Sequence, residues 1–198
     1  MNNLIPSREE AWQLLTKYNQ SESLLKHALS VEAVMRHFAE IFNEDAEKWA
    51  VIGLIHDLDY EKYPEQHCSM TKKILEEEKW PDEVIRSVLS HGWGICTDVE
   101  PQQLMEKVLF TVDELTGLIT ASVLVRPTKS ILDMEAKSVR KKWNMKNFAA
   151  GANREVIEKG AAMMGKDLDF VIEETIKGMR KVADIIGLKG TVGEQSNQ

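Results

Sequence analysis

Apolar residues recur at three- and four-residue steps along most of the chain, and no run alternates in the two-residue rhythm of a strand. The pattern predicts an all-α protein. A first helix is expected over residues 7–18, with Ser7 as its cap and Glu9 and Glu10 near the positive end of the dipole. A second covers 23–42, with Leu24, Ala28, Val31, Val34, Phe38 and Ile41 on its inner stripe and His27 on the same stripe. A third starts near Asp45 and reads EKWAVIGLIH, apolar across its width, as a buried central helix should. Helices follow over 65–78, from Pro81 to His91, and from Pro101 through Asp113. Three more are expected over 130–142, 147–164 and 167–186, with Gly187 stopping the last.

The chain has 198 residues, enough for one domain with a full core, and the reading is a single domain over 1–189 with a disordered tail over 190–198. No run of about eighteen apolar residues predicts a membrane span, and the N-terminus lacks a secretory pattern, so a cytoplasmic location is expected. A net charge of −7 argues against an extended nucleic-acid surface but leaves room for a small phosphorylated ligand. Cys68 and Cys96 are too few for a disulfide framework and form no CxxC pair, which predicts two reduced thiols.

Candidate chemistry concentrates in GLIHDLDYEKYPEQH, where a buried helix runs into His56-Asp57, with Asp59, Glu61 and His67 close behind. Four of the five histidines, His27, His56, His67 and His91, fall where an inner helical face meets a helix end. His37 lies off the apolar stripe and receives no role. Asp113 sits within VLFTVDELTGLI, where a carboxylate is costly to bury without a positive partner. A divalent ion is such a partner, and imidazole nitrogens with carboxylates suit zinc, manganese, iron, nickel or cobalt.

The order His27, His56-Asp57, Asp113 resembles the HD-domain superfamily of metal-dependent phosphohydrolases, and HCSMTKKIL with EVIRSVLSHGWG is similar to the segments that bring two more histidines in its binuclear branch, the HDIG type. The resemblance implies an HD-like helical bundle whose metal-binding core spans about 24–120, with additional C-terminal helices over about 130–187. It implies His27, His56, Asp57, His67, His91 and Asp113 as ligands to one or two transition-metal ions, iron or manganese favoured. It also implies hydrolysis of a nucleotide or other small phosphate ester by metal-activated water. Two departures bear on specificity: HDLDY places Tyr60 where many relatives carry lysine, and Gly92-Trp93 follows His91 where the cyclic-dinucleotide branch has a different pattern.

Within that frame Asp57 bridges the ions, and Asp59 and Glu61 orient a ligand or move a proton. Arg126 and Lys129 are the leading phosphate contacts, with Lys141 and Lys142 behind them, and Trp93 is a stacking surface for a base. Met35, Met163, Met164 and Met179 fall at apolar helical positions and are read as core filler. The same six ligands also suit a di-iron oxygenase, and a non-catalytic sensing module is the third alternative. The C-terminal helices are assigned to capping the bundle or to forming a homodimer.

Overall fold

The computed structural model describes residues 5–145 and 147–191; most of the expected tail therefore lies outside the described residues. Among the described residues the regular structure is helical, with no strand. The α-helices are α1 (Arg8–Tyr18), α2 (Glu22–Phe42), α3 (Ala46–Ile55), α4 (Ser69–Glu77), α5 (Asp82–Leu89), α6 (Leu104–Leu124), α7 (Ala136–Trp143), α8 (Arg154–Met163) and α9 (Leu168–Arg180), with short 3₁₀ turns at Pro64–Gln66 and Ser90–Gly92.

Local chemistry explains most of the starts. Ser7 and Glu10 form a reciprocal capping box on α1, Asp45 accepts the Glu47 and Lys48 amides at the start of α3, and Gln103 with Glu106 caps α6. The Gln103–Glu106 box places the start of α6 at Leu104, later than the expected Pro101. Similarly, α4 begins at Ser69, because Cys68 sits at φ 67° and interrupts the helix expected from 65. The C-terminal helices are shorter than expected at one end: α7 begins at Ala136, α8 at Arg154, and α9 stops at Arg180 before a run of turns.

Seven consecutive residues of α3, Trp49 to Ile55, are buried, so the apolar-all-round helix is the centre of the packing. It crosses α2 at Gly53, where an added Cβ would lie 2.8 Å from Met35 Cγ and 3.1 Å from the Val31 carbonyl oxygen. The glycine is what lets the two helices approach. On its other side α2 meets α9, and a Cβ at Gly178 would lie 2.9 Å from Val34 Cα. The His37 Nε2 and Glu174 Oε2 atoms are 2.8 Å apart across the same contact, a role that the stripe pattern did not signal. Met35 and Met179 are fully buried, whereas Met163 and Met164 are only partly so.

Because the obstacle at Gly178 is backbone, Gly178→Leu is expected to push α9 off α2 and cost about 2 kcal/mol or more, a fall of roughly 4–8 °C in Tm. Calorimetry reads this directly, and an unchanged Tm would mean that the α2–α9 contact is not tight.

Cys68 and Cys96 form a disulfide, with Cα atoms 6.2 Å apart, and no free cysteine is present among the described residues. This corrects the expectation of two reduced thiols. They are 28 residues apart in sequence, and the α4–α5 hairpin closes that gap in a way no local motif announces.

Candidate metal centre

Three helices and two helix-end turns deliver the six side chains. His27 comes from α2, His56 and Asp57 from the end of α3, Asp113 from the middle of α6, His67 from the turn before α4, and His91 from the 3₁₀ turn after α5. They form two groups that share Asp57. In the first, His27 Nε2 lies 3.2 Å from His56 Nε2 and 3.0 Å from Asp113 Oδ1, and His56 Nε2 lies 3.4 Å from Asp57 Oδ2. In the second, His67 and His91 face each other with Nε2 atoms 3.1 Å apart, each 3.5 Å from Asp57 Oδ1. One carboxylate oxygen therefore faces each group.

The outer ring nitrogens have partners suited to fixing the tautomer. His56 Nδ1 can donate to the Gly53 carbonyl at 2.8 Å, His91 Nδ1 to the Val88 carbonyl at 2.6 Å, and His67 Nδ1 to Asp59 Oδ1 at 2.7 Å. His27 Nδ1 lies 3.4 Å from the Thr116 hydroxyl, which itself donates to the Asp113 carbonyl. With the proton on Nδ1, each Nε2 lone pair points inward. Two ligands each about 2.1 Å from a common ion stand about 3.0–3.4 Å apart at octahedral or tetrahedral angles, close to the spacings found here. The donor set and its spacing fit a pair of divalent transition ions.

Electrostatics point the same way. Burial alone would lower the His56 pKa, but Asp57 and Asp113 outweigh it and raise the value well above the usual imidazole range. His91 is raised as well, chiefly through Asp57, against the same burial. Burial pushes the two aspartates up, and the histidines more than reverse it, holding both far below the usual carboxylate range. Such a cluster strongly favours a positive occupant, proton or metal.

The remaining candidates separate. Asp59 is fully buried, and besides His67 it accepts the Thr71 amide at 2.7 Å, so it ties His67 to the start of α4. Glu61 is exposed and accepts the Gln20 and Ser21 amides at 2.7 and 2.8 Å, which joins it to the start of α2. Arg126 turns toward Asp133, at 2.6 Å, and Lys129 occupies an exposed turn at φ 46°. Lys141 is exposed, and Lys142 reaches back to the Ser122 carbonyl. Trp93 packs against Phe110 with the Lys159 ammonium 3.4 Å from its ring centre. None of Glu61, Arg126, Lys129, Trp93, Lys141 and Lys142 lines the cavity over the metal centre.

That cavity has a volume of about 440 Å³. Its walls include Tyr60, whose ring meets His67 edge-on, and Glu114, which accepts the Asn153 amide at 2.8 Å. Burial, followed by the neighbouring Asp113 charge, raises the Glu114 pKa. Glu114 carries no motif of its own in the sequence, and its place beside Asp113 on an inward helix face is the one signal available there. Ala149, Gly151 and Ala152 close one side, so the C-terminal half supplies a wall of the site.

The HD domain family model matches residues 24–117, a span that contains all six side chains of the centre. This match supports placing the chain in the HD superfamily. The search of solved structures finds no match.

Proposed function

We propose that this chain is a metal-dependent phosphohydrolase that cleaves a small phosphate monoester at a two-metal centre. The observation that carries the proposal is the division of Asp57, one carboxylate oxygen toward each histidine group. His27, His56, Asp57 and Asp113 would hold one ion, and Asp57, His67 and His91 the other. When bound, such ions supply Lewis acidity toward phosphoryl oxygens and make water acidic enough to serve as a nucleophile near neutral pH.

The chain's own residues do the rest. The Gly53 and Val88 carbonyls and the Asp59 carboxylate hold imidazoles in the ligating tautomer. Glu114, on the cavity wall beside Asp113, is placed to exchange a proton with the departing oxygen. Among the described lining residues there is no lysine or arginine. Neutralising the phosphate therefore falls to the ions, which favours a monoester, such as a nucleoside monophosphate, over a polyphosphate. Iron and manganese are the favoured metals.

The test is a panel of nucleoside monophosphates, dinucleoside polyphosphates and simple phosphate esters offered to manganese- or iron-loaded protein, with phosphate release and oxygen uptake measured together. Phosphate release from monoesters without oxygen uptake is expected. Oxygen-dependent turnover without phosphate release would move the chain to the oxygenase alternative.

Asp59→Asn tests the outer support. It leaves His67 without its carboxylate partner and should weaken retention of the second metal by about 10–100-fold, with the first retained. Equal loss of both metals would show that Asp59 serves the fold and not the ligand.

A further inference from the structure

A second cavity, of about 420 Å³, opens beside the metal centre between α2 and α6 and shares His27 and Gly117 with the first. The helix spacing explains the continuity. Asp113, Gly117, Thr120, Ala121 and Leu124 recur at three- and four-residue steps on one face of α6, and Ser23, Lys26, His27 and Ser30 do so on α2. Both stripes run from the metal ligands toward Leu124, and Ile186 to Leu188 close the far side. Gly117 is the junction, and a Cβ there would meet nothing within 4 Å.

The chemistry of this side cavity differs from that of the centre. Three of its polar side chains already have partners: the Ser30 hydroxyl donates to the Lys26 carbonyl at 2.7 Å, the Lys26 ammonium lies 2.5 Å from Glu22, and the Ser23 and Ser21 hydroxyls are 2.9 Å apart. Ala121, Leu124, Ile186 and Leu188 present carbon. Leu124, half exposed, stands where the cavity meets solvent. A pocket of this size, walled largely by carbon and with most of its polar side chains already partnered, suits the apolar part of a ligand whose polar end is held elsewhere.

We propose that the α2–α6 cavity is the subsite for an apolar arm of the substrate, so that the preferred substrates are phosphate monoesters of an alcohol carrying an alkyl or aryl group of about six carbons or more. This rests on the phosphohydrolase reading and narrows it. The phosphate sits over the metal centre, the ester oxygen near Gly117, and the arm runs along the Thr120, Ala121 and Leu124 stripe.

The experiment compares methyl phosphate with hexyl phosphate on manganese-loaded protein. Each methylene fully removed from water contributes a factor of up to about four, so incomplete burial of five predicts a kcat/KM about a hundredfold higher for the hexyl ester. Ala121→Phe fills the cavity and Leu124→Glu puts a charge at its mouth, where the parent side chain is half exposed and the fold is spared. In both variants the hexyl-to-methyl ratio should collapse toward one. A ratio within threefold of one in the wild type, with phosphate released from both esters, would overturn the subsite and leave the hydrolase standing. If neither ester is cleaved, calorimetric binding of hexylphosphonate and methylphosphonate to the loaded protein decides separately. Tighter hexyl binding that both variants lose supports the subsite while the hydrolase reading falls, and equal binding overturns it.

Discussion

Replacing Asp57 with asparagine is expected to lower phosphate release by about a thousandfold or more and to strip metal from both positions. The side chain keeps its shape, so the fold should survive, but one of the two oxygens becomes an amide nitrogen that cannot ligate. Asp57 is the sole side chain common to the two groups among the described residues. The exchange therefore costs one group its donor and leaves the other only a neutral amide oxygen in place of a shared negative charge, unlike replacement of any one histidine. Lewis-acid stabilisation is worth several kcal/mol, and each 1.36 kcal/mol is a factor of ten in rate. Steady-state phosphate release with elemental analysis of the same sample checks the result. A variant that keeps both metals and most of the rate would show that Asp57 is not the bridge.

Removing the metals should destabilise the protein far more at pH 8 than at pH 6. In the metal-free chain His56 and His91 have raised pKa values, so their contribution to stability is full below the ordinary imidazole value near 6.5 and is lost as pH rises through the folded-state values. Asp57 and Asp113 are depressed, so theirs is present above the ordinary carboxylate value near 3.8 and is lost as pH falls through the folded-state values. Without metal, the cluster is thus at its best between those two ordinary values, where protonated imidazoles face ionised carboxylates. Metal binding needs neutral imidazoles, and protons compete with it as pH falls. At pH 8 that competition is weak, and free metal at a thousand times its Kd stabilises by about 4 kcal/mol per site. Thermal melts with and without a chelator at the two pH values read the difference. Equal shifts would mean that the histidines are not the ligands.

Much of this arrangement was legible in the sequence because helical periodicity and ligand chemistry are both local. EKWAVIGLI, apolar across its width, read as a buried helix, and Asp113 on an apolar helix was costly to bury without a positive partner. The turns were less legible. Pro64–Gln66 and the left-handed Cys68 separate His67 from α4, so that His67 can reach His91 across the α4–α5 hairpin. The spacing of the histidines alone does not contain that geometry.

Contacts between distant segments were not legible at all. Arg126 was a reasonable phosphate ligand until Asp133, seven residues away, claimed its guanidinium. The Cys68–Cys96 bond, the wall built by Ala149, Gly151 and Ala152, and the cavity between α2 and α6 all depend on how helices cross. Crossings are set by close-approach positions such as Gly53 and Gly178, whose neighbours no periodicity reveals.

The most direct test of the account is metal content per chain by elemental analysis, on protein purified without chelators or a metal-binding tag, beside His67→Ala and His91→Ala variants prepared in the same way. The account predicts two equivalents of iron or manganese in the wild type and one in each variant. One equivalent in all three would contradict the shared-carboxylate pair, and none after metals are added back would contradict the metal centre itself.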